Sequence, residues 1–199
     1  MKTILVSQRV DIIESYKERR DALDQKWADF LWEAGLIGIP VFNHASSLNE
    51  ILNSINIDGI LLTGGNSPVE YGGSAPERDN TDTLLITHAI KNNIPLLGVC
   101  RGMQSIVIHF GGTLHKVEGH VAKRHNLDSS REVNSYHEYA PDKLSIELDI
   151  ISKADDQVIE HIKHKNLSLA GIMWHPERET PFNKKDIELF NTIFTRSIK

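Results

Sequence analysis

Cys100 is the only cysteine of the chain, and a glycine stands two positions to either side of it, Gly98 and Gly102. An apolar run at residues 94–99 precedes the cysteine, and apolar residues at helical spacing follow it at residues 103–110. This pattern predicts a buried strand, a sharp turn at the cysteine and then a helix. A lone cysteine is often an inert buried residue. Here the small neighbours and the helix N-terminus, which favours a thiolate and can hold an oxyanion, predict a nucleophile.

A cysteine hydrolase also needs a group that takes the thiol proton and later protonates the leaving amine, and one imidazole can do both. The chain has ten histidines. His175 is the candidate because it directly follows an apolar run at residues 167–174, so a parallel sheet would bring it to the same edge as Cys100. Glu177, two positions further on, is the expected carboxylate that orients this imidazole.

The order of apolar runs and amphipathic segments predicts an α/β fold, an open and mostly parallel sheet with helices on both faces, in a single domain of residues 1–199. Pro40 indicates that its strand lies near a sheet edge, and Ser47 begins a capping-box sequence. Expected strands are 3–7, 36–42, 57–62, 94–99, 144–151, 158–164 and 167–174, and expected helices are 21–34, 47–55, 79–92, 103–110 and 183–198.

Three further histidines, His115, His120 and His125, recur at every fifth residue. This spacing fits neither one face of a helix nor one face of a strand. It indicates a surface loop over residues 115–128, with metal binding as the lesser alternative. His161 and His164 are expected to be solvated residues of a strand.

The composition excludes several classes of protein. A net charge of −5 gives no electrostatic signature for nucleic acid or an anionic membrane, so neither is an expected partner. One cysteine excludes a disulfide framework and a Cys-x-x-Cys zinc motif. The N-terminal apolar run is too short for a signal peptide or a membrane span, which predicts a cytoplasmic protein with a reduced thiol. Thiol chemistry of this kind requires no metal and no organic cofactor.

Six motifs, in this order along the chain, resemble the class I glutamine amidotransferase superfamily and, within it, the γ-glutamyl hydrolase branch. They are Thr63-Gly64-Gly65, Arg78-Asp79, residues 95–104 around Cys100, Gly111-Gly112-Thr113-Leu114, Val133-Asn134-Ser135-Tyr136-His137 and Trp174-His175-Pro176-Glu177. The resemblance implies the flavodoxin-like fold of that superfamily and a hydrolase that cleaves a γ-glutamyl amide bond. It also implies that the backbone N–H groups of Gly65 and Arg101 hold the oxyanion.

The resemblance also assigns substrate-side residues. Gln104, one helical turn after the cysteine, matches the position that helps to hold the glutamyl group. Ser135, Tyr136 and His137 match the second substrate-side motif of the family. Local hydrogen bonding within a loop is the alternative for Ser135 and His137.

The N-terminal segment, with Arg9 and residues 16–24, resembles a small subgroup associated with capsule phosphoramidate synthesis. That subgroup implies a nucleotide-linked substrate, γ-glutamyl-CDP-amidate, which is hydrolysed to glutamate and cytidine diphosphoramidate. Arg9 and Arg20 would then bind the diphosphate, because arginine binds phosphate through two parallel hydrogen bonds. A solvated charged segment is the alternative.

Two departures from the family pattern concern the leaving amine. Met173 stands where the family often has Gln, and His137 is followed by Glu138 and Tyr139 where the family's motif often runs into His-Gln. A γ-glutamyl-γ-aminobutyrate-type hydrolase therefore stays open, as does a glutaminase subunit that delivers ammonia to a synthetase partner. A homodimer is the other partner left open, and a non-catalytic module is disfavoured because Cys100, His175 and Glu177 are all present.

Overall fold

The computed structural model describes residues 1–128 and 131–195. Its strands are β1 (Lys2–Val6), β2 (Arg9–Ile13), β3 (Glu18–Ala22), β4 (Leu36–Pro40), β5 (Gly59–Leu62), β6 (Leu96–Val99), β7 (Thr113–Lys116), β8 (Val121–Leu127), β9 (Arg131–Tyr136), β10 (Tyr139–Lys143), β11 (Leu148–Lys153), β12 (Ile159–His164) and β13 (Leu169–Ile172). Its helices are α1 (Lys26–Glu33), α2 (Ala45–Ser54), α3 (Pro76–Asn92), α4 (Arg101–His109) and α5 (Lys184–Thr195), with short 3₁₀ turns at Val69–Tyr71 and Pro176–Arg178.

Seven strands form the central sheet, in the order β11-β12-β13-β6-β5-β1-β4. The pairs from β13 to β4 are parallel, whereas β11 and β12 are antiparallel to each other and β12 is antiparallel to β13. The predicted mostly parallel sheet is therefore confirmed, and β4, which ends at Pro40, lies at its edge as expected. Because parallel strands end at one edge, the residues after β1, β5, β6 and β13 meet there.

Helices cover both faces of this sheet, as predicted. Alternate residues of β1 contribute to opposite cores: Val6 packs in the cluster that contains Phe30 of α1, and Leu5 packs in the cluster that contains Leu48 of α2. The first cluster also holds Phe190 of α5, and the second includes residues of α3 and α4. Strands buried on both faces are typical of parallel sheets.

Three predicted helix starts are wrong. Residues 9–22 form an antiparallel hairpin, in which Arg9 pairs with Ala22, so α1 begins at Lys26 and not at residue 21. Helix α2 begins before the predicted capping box, because His44 is its N-cap and accepts a hydrogen bond from the Ser47 amide. Helix α3 begins at Pro76, since proline is favoured in a first helical turn, where no N–H partner is needed.

The predicted surface loop at residues 115–128 is also wrong, because this stretch contains part of β7 and all of β8. Strand β7 pairs with β10, and β8 pairs with β9. The expectation that His164 is solvated is wrong as well: this side chain is buried and its Nδ1 accepts hydrogen bonds from the amides of Asn166 and Leu167. Strand β11 begins at Leu148, later than predicted, and the predicted helical residues 196–198 lie outside the described residues.

The single domain of residues 1–199 stays a prediction. Within the described ranges, none of the helices has both the length and the apolar character needed to cross a membrane.

Helix α4 approaches strands β6 and β5 closely at two glycines. A Cβ atom on Gly98 would lie 2.5 Å from the carbonyl carbon of Gly102, and one on Gly102 would lie 2.3 Å from the carbonyl oxygen of Leu62. Real Cβ atoms do not approach backbone this closely, so both positions need glycine.

We expect Gly98→Ala to lower the free energy of unfolding by about 1–3 kcal/mol, because the added methyl group must push α4 away from β6. Urea denaturation measures the change. Ser46→Ala, on the exposed side of α2, is the control and should change it by less than about 0.5 kcal/mol. Equal losses in the two variants would contradict the close contact of strand and helix.

Candidate active site

Cys100 occupies the turn between β6 and α4 with φ 51° and ψ −105°. A non-glycine residue at positive φ is strained, by about 1–3 kcal/mol, and persists only where its surroundings hold it. Here the Cys100 amide donates a 2.7 Å hydrogen bond to the Ile172 carbonyl at the end of β13. The thiol therefore stands at the N-terminus of α4, in the sharp turn that the sequence predicts.

His175 and Glu177 lie beside this cysteine, in the segment that follows β13. The Nδ1 atom of His175 is 2.7 Å from Oε1 of Glu177, and the imidazole is close enough to Cys100 for a thiolate there to raise its pKa. All three side chains are nearly inaccessible to solvent. The imidazole lies against Gly64, where a Cβ would come within 2.4 Å of the ring carbon Cε1.

The protonation of His175 follows from its neighbours. Burial lowers its pKa, but the charges of Cys100 and Glu177 and the hydrogen bond to Glu177 outweigh burial and raise the pKa to about 9. The imidazole is therefore predominantly protonated at neutral pH. In that state it can give a proton to a leaving group.

Strand β9 holds His175 from the other side. The amide of Asn134 forms two hydrogen bonds with the His175 backbone: Nδ2 donates to the carbonyl at 2.8 Å and Oδ1 accepts from the N–H at 2.9 Å. The ring of Tyr136 packs edge-to-face on the imidazole, with centroids 5.7 Å apart. Asn134 belongs to one of the six motifs, but the sequence does not reveal this role.

Two buried arginines hold the elements that surround the Cys100 turn. Arg101 forms salt bridges with Asp79 and Asp82 of α3. Arg78 donates hydrogen bonds to the carbonyls of Thr63, at 2.6 Å, and Gly64, at 3.2 Å, and so holds the segment after β5. Burial lowers the pKa of Arg78, whereas the nearby charges of Cys100 and Asp79 oppose that effect. These contacts could not be assigned from sequence, since they join residues far apart in the chain.

Two cavities flank the Cys100–His175 pair. A cavity of about 330 Å³ lies on the cysteine side and is lined by residues that include Gly65, Cys100, Arg101, Gln104, Tyr136, His137 and Glu138. A second cavity, of about 230 Å³, lies on the histidine side and is lined by residues that include Arg9, Asp11, Asp24, Trp27, Gly65, His175, Glu177 and Arg178. Gly65 lines both. We call these the cysteine-side and histidine-side cavities.

The structure brings some of the predicted substrate-side residues to these cavities and leaves others away from them. Gln104 lines the cysteine-side cavity, and its Nε2 donates to the Tyr139 carbonyl at 2.8 Å. Ser135 is buried and its hydroxyl donates to the His120 carbonyl at 2.7 Å, which is the local bonding considered as the alternative. Arg20 pairs with Glu18 on the exposed hairpin. Neither Ser135 nor Arg20 lines the cysteine-side or the histidine-side cavity.

His137 lines the cysteine-side cavity and also contacts a buried carboxylate, that of Glu160. Its Nε2 is 3.2 Å from Oε1 of Glu160, and Glu160 also contacts His120 and His125. Burial raises the pKa of Glu160, but hydrogen bonds to the three imidazoles outweigh burial and hold it well below its ordinary value. The carboxylate is therefore ionised among these histidines.

Residues 21–194 match the model of the class-I glutamine amidotransferase family. The chain belongs to this family, which confirms the resemblance seen in the motifs. It is 31% identical over 187 residues to the γ-glutamyl-CDP-amidate hydrolase of Campylobacter jejuni, covering 92% of this chain and 93% of that protein. It is 27% identical over 217 residues to a γ-glutamyl-γ-aminobutyrate hydrolase of Escherichia coli O157:H7, covering 86% of this chain and 83% of that one.

The fold is also found in a solved structure. A protein from Thermoplasma acidophilum, described as part of a GMP synthase, superimposes with a TM-score of 0.72, over 98% of this chain and 93% of that chain, at 19% identity. This similarity confirms the expected flavodoxin-like fold of class I glutamine amidotransferases. The strand order β4-β1-β5-β6-β13 is the 2-1-3-4-5 arrangement of flavodoxin-like sheets.

We expect kcat/KM for amide cleavage to fall as the pH rises through about 9, because His175 then loses the proton that the leaving amine requires. Glu177→Gln removes a negative charge that raises the His175 pKa, so the falling limb should move to lower pH. A pH–rate profile measures both. Glu188→Gln, on α5, is the matched control and should leave the limb in place. An unshifted limb in Glu177→Gln would contradict the role of this carboxylate.

Proposed function

We propose that the protein is a cysteine hydrolase that cleaves a γ-glutamyl amide bond and releases glutamate. The observation that carries the proposal is the placement of Cys100, His175 and Glu177 together at the carboxyl edge of the sheet, with His175 hydrogen-bonded to Glu177. A thiol, an imidazole that contacts it and a carboxylate that orients the imidazole are the parts that nucleophilic acyl transfer needs.

In this mechanism the Cys100 thiolate attacks the γ-carbonyl carbon. The N–H groups of Gly65 and Arg101 are the proposed oxyanion donors, and the first N–H groups of a helix such as α4 have no partner within the helix. His175 protonates the amide nitrogen as the C–N bond breaks, leaving a glutamyl thioester. The imidazole then takes a proton from water, which hydrolyses the thioester and returns the thiol.

The two cavities suggest where each half of the substrate binds. The cysteine-side cavity contains Gln104 and would take the glutamyl half, which must extend from the attacked carbonyl away from His175. The histidine-side cavity would take the leaving group, because the atom that His175 protonates belongs to that group. Tyr136 and His137 would contact the glutamyl half.

For the leaving group we propose a cytidine diphosphate amidate, with γ-glutamyl-CDP-amidate as the substrate and capsule phosphoramidate synthesis as its setting. The hydrolase of Campylobacter jejuni named above supports this choice. Arg9 and Arg178, which line the histidine-side cavity, offer guanidinium groups to phosphate oxygens. Arg9 is 2.9 Å from Asp11, so this ion pair would exchange for a phosphate on binding.

Cys100→Ala should lower glutamate release by at least about 10³-fold, because no other thiol can form the acyl intermediate. A coupled glutamate assay measures the loss. The unfolding temperature of the variant should stay close to that of the parent protein, which separates loss of chemistry from loss of fold. Residual turnover near the parent rate would overturn the cysteine mechanism.

The leaving group is tested with Arg9→Met, which keeps the aliphatic stem that packs on Gly65 but removes the charge. We expect KM for γ-glutamyl-CDP-amidate to rise about tenfold or more, since hydrogen bonds to charged groups contribute about 1.5–3 kcal/mol. Arg20→Met, outside both cavities, is the matched control and should leave KM unchanged.

The same assay separates the other substrates. Faster release of glutamate from γ-glutamyl-γ-aminobutyrate than from the nucleotide amidate would favour the aminobutyrate-type hydrolase. Strong release from glutamine by the purified chain alone would favour a glutaminase. An equal KM in Arg9→Met and Arg20→Met would contradict phosphate binding by Arg9.

A further inference from the structure

Three imidazoles approach one buried carboxylate oxygen, Oε1 of Glu160 in β12. His137 Nε2 lies 3.2 Å from it, and His120 Nδ1 and His125 Nε2 each lie 3.4 Å from it. His120 and His137 are buried, and the side chain of His125 is 14% exposed. The histidines come from the hairpin β8–β9 and its flanks, whereas Glu160 belongs to the central sheet.

These separations match the spacing of ligands around one metal ion and are longer than the strongest hydrogen bonds. A charge-assisted N–H···O bond is about 2.7–2.9 Å long, shorter than all three contacts. Tetrahedral Zn²⁺ with Zn–N and Zn–O bonds of about 2.0–2.2 Å places neighbouring donor atoms about 3.3 Å apart. The donor atoms of His120, His137 and Glu160 all lie within 4.8 Å of one another.

The surrounding groups support the same assignment. His120 Nε2 is 2.8 Å from Oδ2 of Asp156, and a metal-bound histidine commonly donates its second N–H to such a carboxylate. In the described structure, Oε2 of Glu160 is buried without a hydrogen-bond partner. An ion bound to both carboxylate oxygens would give Oε2 a partner, whereas hydrogen bonds to Oε1 alone leave it unsatisfied at a cost in free energy.

We propose that His120, His137 and Glu160 bind a divalent transition-metal ion. Imidazole and carboxylate donors of this kind suit Zn²⁺. The ion would join the β8–β9 hairpin to β12 and so hold in place Asn134 and Tyr136, which contact His175. This positioning role does not depend on the leaving group proposed above.

The test uses the full chain carrying Cys100→Ala, so that no thiolate can bind the metal. The chain is stripped with a chelator and titrated with Zn²⁺, and we expect one ion per chain and a rise in Tm. Co²⁺ should give the visible absorption of a four-coordinate ion without a thiolate band. Absence of stoichiometric zinc from this chain would overturn the proposal.

Variants then locate the ion. Glu160→Gln should abolish stoichiometric binding, and Asp156→Asn, at a half-exposed side chain, should weaken it by about 10–100-fold. His115→Asn, an exposed histidine outside the cluster, is the matched control and should bind as the parent does. If Glu160→Gln does not fold, the Zn²⁺ affinity of Asp156→Asn tests the assignment. The assignment would be overturned if the folded variants at these two carboxylates bound Zn²⁺ as tightly as the parent does.

Discussion

The strained backbone of Cys100 is the constraint on which the rest of the structure depends. A residue at φ 51° and ψ −105° is stable only if the elements on either side of it are held firmly. Strand β6 is held by parallel pairing with β5 and β13, and α4 is held by the contact of Gly102 with the end of β5. The turn therefore projects one thiol from the sheet edge at the N-terminus of a helix, where negative charge is favoured.

Two charged side chains, those of Arg78 and Arg101, are buried next to this turn. Taking a guanidinium out of water costs several kcal/mol, and the cost is offset only when hydrogen bonds and counter-charges replace the water. Arg101 forms salt bridges with two aspartates of α3. Arg78 donates hydrogen bonds to the carbonyl oxygens of Thr63 and Gly64, which follow β5. These bonds tie α3, α4 and the Gly64-Gly65 segment together, so the segments that carry the proposed oxyanion donors are held by buried polar contacts.

The β8–β9 hairpin and its flanks contact both His175 and the buried carboxylate of Glu160. Asn134 binds the His175 backbone with two hydrogen bonds, and Tyr136 packs on the imidazole. Residues of the same hairpin and its flanks surround Glu160. The position of His175 therefore depends on how this hairpin is attached to the central sheet, and the histidine cluster is part of that attachment.

Local patterns in the sequence were enough to determine the sheet type, the turn at Cys100 and the pairing of His175 with Glu177, because each depends on residues a few positions apart. Those patterns do not predict which strands or side chains pair across long stretches of the chain. Residues 9–22 have the pattern of a charged segment and a helix start, but their strands pair with each other and carry Arg20 away from the cavities. The five-residue spacing of His120 and His125 indicated a loop, since no local period explains it. Only the tertiary structure, by packing a hairpin against β12, brings these imidazoles to one carboxylate, because a buried charge is stable only where the folded chain supplies its partners.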